Sequence, residues 1–243
     1  MNAKTNRTLP YIVFDMKGHK MEASFQPTSI TEMRTARRAG LEVLGIFALT
    51  IIPSLLWPGF KVVSVFLPIA YLLVERRLRD RPWAELGFDV RGIRPALAAN
   101  WLLILLDVLV IQVAIALLAK ALWPAFLVHV ESRIPLLDTT QPIALFGMLL
   151  VATLGEEMTY RCLFQERLSW FVKTPIAIVL VSVIFGLMHW SEGDLVVTIV
   201  DVALVTLDSI IFGLIFSRGK NLYVAWLTHF LVDIVGVALL ILL

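Results

Sequence analysis

Six ionisable side chains in the last third of the chain sit where such groups are costly to place. They fall in three strings: Glu156-Glu157-Met158-Thr159-Tyr160-Arg161, Phe185-Gly186-Leu187-Met188-His189 and His229-Phe230-Leu231-Val232-Asp233. Each string lies in a strongly apolar stretch, and an ionisable group at membrane depth marks a functional position by default. Carboxylates beside imidazoles are the groups that take protons from water, return them to a leaving group, or stabilise developing charge. Hydrolysis within a membrane is the chemistry this set suits.

Helical spacing assigns roles inside each string. Glu157 and Arg161 form an i,i+4 pair with the acid first, the favourable order for an ion pair. Glu156 is rotated by about 100° from Glu157, so it faces a different neighbour. This implies that Glu157 and Arg161 neutralise each other while Glu156 is left to act as a base. Phe185 lies one turn before His189 and is placed to pack under its imidazole. Asp233 lies one turn after His229 and is placed to fix its tautomer, as carboxylates do for many active-site histidines.

The elements that must position these groups are apolar spans. The chain is 59% apolar and 16% charged over 243 residues, whereas a soluble domain is roughly 45–50% apolar and about 25% charged. The fold class expected is all-α, a polytopic membrane helical bundle. Residues 1–40 read as a polar cytosolic N-terminal tail and residues 41–243 as the membrane domain, with the motifs in 142–243. The tail lacks the short apolar core of a cleavable signal peptide, so the first span is expected to serve as an uncleaved anchor.

Leu41–Trp57 and Phe60–Val74 are two apolar runs divided by Trp57-Pro58-Gly59, a turn signal. Both are short against the ~20 residues of a full crossing, so they are read as two tilted spans or a re-entrant pair. Glu75–Arg94 is a charged loop and Pro95–Trp123 a long third span, followed by a loop over Pro124–Gln141. The fourth span runs from Pro142 towards Trp170, the fifth covers Pro175–Trp190, the sixth Leu195–Phe216 and the seventh Leu222–Leu243. Basic loops set the orientation of membrane proteins. With the N-terminus inside, 18 of the 21 lysines and arginines are cytoplasmic, leaving Lys61, Lys120 and Arg133 outside. About seven spans, N-in, is the consistent topology.

If the fourth and fifth spans form a hairpin about Val172-Lys173, Glu156 and His189 are equidistant from the turn and lie at one depth. His229 and Asp233 lie about 10–17 Å along the seventh span at 1.5 Å per residue. The three strings can therefore converge.

Glu-Glu-x-x-x-Arg, Phe-x-x-x-His and His-x-x-x-Asn/Asp, in this order on successive membrane helices, resemble the CAAX prenyl protease and bacteriocin-processing family. It is also called the Abi family and includes the Ras-converting endopeptidase. The motifs span residues 155–233, about a third of the chain. The resemblance implies an all-helical membrane bundle around a polar cavity. It implies that Glu156 and His189 activate a water, that His229 with residue 233 stabilises the oxyanion, and that Glu157 and Arg161 are structural. The implied substrate is a lipidated, CAAX-type or other membrane-associated peptide. The prenyl-protease branch typically has asparagine where this chain has Asp233. An ionised aspartate cannot donate to an oxyanion, so either Asp233 is protonated or it orients His229.

Other readings place limits on this one. No cofactor is expected: without His-Glu-x-x-His, a zinc site would need three helices, and it ranks below metal-free water activation. No Gly-x-Ser-x-Gly string argues for a serine protease, and Cys162, off the face of Glu156, reads as packing. His19 and His129 fall in polar segments and are expected to be solvated. Asp194, Asp201 and Asp208 share one face of the sixth span, as Asn100 and Asp107 do on the third. Interhelical hydrogen bonding is their expected role, with Asp201 or Asp208 pairing with Arg161 as the sharper alternative. The rivals for function are a non-catalytic bacteriocin self-immunity or scaffold protein and a proton-coupled transporter. The intact set of Glu156, His189, His229 and Asp233 counts against the former, and the lack of repeated halves against the latter. The expected partners are a peptide or lipidated protein substrate and membrane lipids, with no nucleic acid. The location is the cell (inner) membrane of a bacterium or the endoplasmic reticulum membrane of a eukaryote.

Overall fold

A computed structural model describes residues 30–57, 59–60, 66–134 and 142–243. The tail before residue 30, including His19, lies outside the described residues. So does Lys61. Among the described residues the chain forms α-helices with short 3₁₀ and π segments and no strand. The helices are α1 (Ile30–Leu56), α2 (Phe66–Leu78), α3 (Ile93–Leu122), α4 (Pro124–Ser132), α5 (Pro142–Leu168), α6 (Thr174–Met188), α7 (Leu195–Gly219) and α8 (Leu222–Leu242). Helices α3, α5, α7 and α8 are each long and apolar enough to cross a membrane, while Gly40–Ser54 and α6 are shorter apolar helices.

The helices differ from the sequence reading at four places. The end of the polar tail is not separate from the first apolar run, because α1 continues unbroken from Ile30. The charged loop after residue 75 begins as the last turn of α2 and then forms a 3₁₀ turn, Trp83–Leu86. The loop expected over Pro124–Gln141 opens with α4, whose Pro124 stands in the first turn, where its missing N–H removes no helical bond. On α4, His129 is buried rather than solvated, beside Ser191 Oγ at 3.2 Å and Asp201 Oδ2 at 3.5 Å.

Helix α7 is central, packing against α3, α4, α6 and α8, and its longest contact is with α6. The α6–α7 approach is close because Gly186 faces α7: a Cβ there would come within 2.8 Å of the Val202 carbonyl. Helix α8 lies against α5 through Leu145, Leu149, Phe230 and Val237. Trp226 fixes the register of that pair, its indole N–H donating to Leu150 O and Thr153 Oγ1, both at 3.1 Å. The start of α8 is fixed from another side. Asn221 caps it by accepting from Val224 N at 3.2 Å, and its amide donates to Asp89 O at 2.6 Å. Gly87, at φ +90°, lets its carbonyl accept from Leu222 N at 2.8 Å.

Two helices carry π turns, Leu106–Ile111 in α3 and Met158–Gln165 in α5. Such turns break the even rotation of a helix and recur at functional sites. Here one turn carries Asp107 and the other Arg161.

Candidate active site

Helix α5 presents Glu156 and Glu157 immediately before its π turn and Arg161 within it. Glu157 and Arg161 are fully enclosed, with Glu157 Oε2 3.3 Å from Arg161 Nε. Arg161 Nη2 donates to Ser209 Oγ of α7 at 2.8 Å, and its guanidinium lies over the Phe185 ring at 5.8 Å. A buried charge must be paired and hydrogen-bonded; Glu157 and Ser209 supply those contacts at Nε and Nη2, while Nη1 has no hydrogen-bond partner among the described residues.

Glu157 also reaches α8. Its Oε1 lies 3.0 Å from His229 Nδ1. A carboxylate can only accept, so Nδ1 carries the proton in this bond, and Nε2 is the nitrogen turned to the remaining acids. It lies 3.6 Å from Glu156 Oε2 and 3.9 Å from Asp233 Oδ2. The side chains of Glu156 and Asp233 keep 26% and 31% of their exposure, against 5% for His229. The half-open carboxyls thus face a buried, oriented imidazole.

Aromatic rings hold that imidazole. Phe212 of α7 stacks on His229 at 4.5 Å and 21°, and Phe185 meets it edge-on at 5.8 Å. Phe185 also carries His189, ring to ring at 4.5 Å, as the spacing predicts. His189 stands at the C-terminal end of α6 with Nδ1 2.8 Å from Phe185 O. A carbonyl only accepts, so in the neutral ring Nε2 holds the acceptor lone pair.

The three strings meet through the Glu157–His229 and Phe185–His229 contacts, with His189 joined to them by Phe185, and with one change of role. The contact that orients His229 comes from Glu157 across the helix interface, whereas spacing alone assigns it to Asp233 one turn away. Sequence reasoning also passed over Ser209, Phe212 and Trp226, which are ordinary residues of apolar helices until α7 and α8 are placed. Two of the aspartates act as partners across elements: Asp201 Oδ2 lies 2.9 Å from Arg133 Nε, and Asp208 accepts from Gln112 Nε2 at 3.3 Å; Asp194 caps its own helix and Asn100 donates within its own. Arg161 is met by Glu157 and Ser209 instead. Cys162 is buried, its Sγ 2.9 Å from Leu86 O. Among the described residues no three His, Cys, Asp or Glu side chains gather as a metal-holding set.

Residues 138–235 match the family model described as "Type II CAAX prenyl endopeptidase Rce1-like". The match contains all three strings. Over these residues the chain is similar to the CAAX prenyl endopeptidase family. The family is one of proteases and points to CAAX-type intramembrane protease activity. Together with the four helices of crossing length and apolarity among the described residues, it supports an integral membrane protein. Neither the curated proteins nor the solved structures gave a match to the chain.

Proposed function

We propose that the protein is an intramembrane endopeptidase that hydrolyses a peptide bond near the C-terminus of a lipidated, CAAX-type or membrane-associated peptide. The observation that carries this reading is the half-open Glu156 carboxylate 3.6 Å from a histidine whose other nitrogen is held by buried Glu157.

In this mechanism Glu156 takes a proton from a water that also donates to Nε2 of His189. The hydroxide attacks the peptide carbonyl carbon and negative charge gathers on the carbonyl oxygen. His229, with both nitrogens protonated, gives Nδ1–H to Glu157 and Nε2–H to that oxygen. Donors placed in advance at such an oxygen are worth about 10²–10³ in rate. Glu156 then returns its proton to the amide nitrogen and the C–N bond breaks, leaving a carboxylic acid and an amine, and the acid's proton passes to the amine. Asp233 lines the opening and contributes a second donor when protonated. Water activation in this reading needs no metal.

The same reading has about seven crossings with the N-terminus inside, supported by the 18 cytoplasmic lysines and arginines it gives. The host membrane is the inner membrane of a bacterium or the endoplasmic reticulum of a eukaryote. Mass spectrometry of a farnesylated CAAX peptide and its unprenylated twin, incubated with the purified protein, tests the assignment. A cut after the prenylated cysteine in the first peptide supports it. Intact peptides of both kinds, and of membrane-embedded controls, count against it.

A further inference from the structure

The end of α2 and the turn after it enclose an open groove of about 460 Å³ lined by Arg76, Arg77, Asp80, Arg81 and Pro82. We propose that this groove binds the anionic headgroup of a phospholipid.

The three arginines are not equivalent. Arg81 is 6% exposed and committed to the protein, with Nη2 2.8 Å from Glu166, Nε 3.3 Å from Glu85 and Nη1 3.4 Å from Glu75. It is a fixed part of the wall. The Arg76 guanidinium lies 4.0 Å from the Trp83 ring centroid, held in place by cation–π contact. Arg77 is exposed. Among the described residues no carboxylate pairs with Arg76 or Arg77, although Glu75, Glu85 and Glu166 are engaged by their neighbours. Asp80 is the one acid on the wall. The groove therefore presents positive charge that the described residues leave unmatched, in the planar donor geometry that suits phosphate oxygens.

A free phosphate and a lipid headgroup share that chemistry. The border of the groove favours the lipid. Val74, Leu78 and Trp83 are 56%, 79% and 44% exposed beside it, a greasy surface that an inorganic ion cannot use and acyl chains can. Tryptophan and arginine together are the residues of the membrane–water boundary. The groove is also tied to the candidate site. Glu75 pairs with Arg167 as well as Arg81, and Arg167 follows the π turn that holds Arg161. A headgroup seated here braces α2 against the helix of Glu156 and Glu157.

Native mass spectrometry of the detergent-purified protein, titrated with phosphatidylglycerol and phosphatidylcholine, tests the proposal. Wild type is expected to take phosphatidylglycerol in preference. Each arginine near an anionic headgroup is worth ~1 kcal/mol, so Arg76→Ala with Arg77→Ala should lose about 30-fold of that preference. Arg77→Ala alone, on an exposed side chain, should lose about 5-fold. Arg76→Lys with Arg77→Lys should keep most of it. Undiminished preference in the folded single or double alanine variant overturns the proposal. So does displacement of phosphatidylglycerol by millimolar inorganic phosphate, which would assign the groove to a soluble anion.

Discussion

A Glu157 carboxylate oxygen accepts from Nδ1 of His229 at 3.0 Å, across a helix interface and 72 residues of sequence. The other oxygen of the same carboxylate meets Arg161 at 3.3 Å. One buried acid thus joins the arginine that neutralises it to the histidine that faces Glu156. The second glutamate of the Glu-Glu string is fully buried between these two partners. It is the residue through which α5 and α8 agree on where the imidazole points.

Glu157 variants separate charge from shape. Glu157→Ala leaves Arg161 and His229 without their shared partner, and breaking such a buried pair costs ~3–5 kcal/mol. A marked fall in Tm in detergent is the expected result. Glu157→Gln keeps an oxygen for Nδ1–H but loses the negative charge, so it should fold better than the alanine variant. Its kcat should still fall, by about 10²-fold, with KM little changed. Cleavage and thermal unfolding run on both variants check this.

Asp233 is expected to tolerate amidation. Its Oδ2 lies 3.9 Å from His229 Nε2, beyond hydrogen-bond reach, and the ring is already oriented by Glu157. Asp233→Asn retains a donor at the opening and should keep kcat/KM within about tenfold of wild type, ~1.4 kcal/mol in the barrier. Complete loss would contradict this, and would return an orienting or metal-binding role to Asp233.

Gly186 tests how His189 is placed. A side chain there meets Val202 O and Thr206 on α7, and overpacking of this kind costs ~1–3 kcal/mol. Gly186→Leu should lower Tm, and it should lower activity further because His189 stands three residues on. Unchanged Tm and kcat would show that the α6–α7 contact does not position the histidine.

Much of this architecture is legible in the residues alone. The apolar runs predict the helices from residue 142 onward to within three residues at each end. The i,i+4 rule finds the Glu157–Arg161 pair and the tilted Phe185–His189 ring contact, because both partners ride on one helix. The rule fails where the partner rides on another. Nothing in the sequence says how α8 is rotated against α5, so the orienting role goes to Asp233 by proximity, and Ser209 and Phe212 are missed. The π turn over Met158–Gln165 shifts every face after it, which regular periodicity cannot show. His129 looks solvated because Pro124–Ser132 carries few turn-of-helix signals and its burial depends on Asp201, far along the chain.

Glu156 as the base is the central claim, and single-turnover cleavage of a farnesylated CAAX-type peptide tests it most directly. Wild type, wild type with chelator, and Glu156→Gln are compared at equal amounts of folded protein. The account predicts cleavage by wild type, unchanged by chelation, and a loss of at least about 10²-fold in Glu156→Gln. Cleavage by Glu156→Gln at the wild-type rate would contradict it.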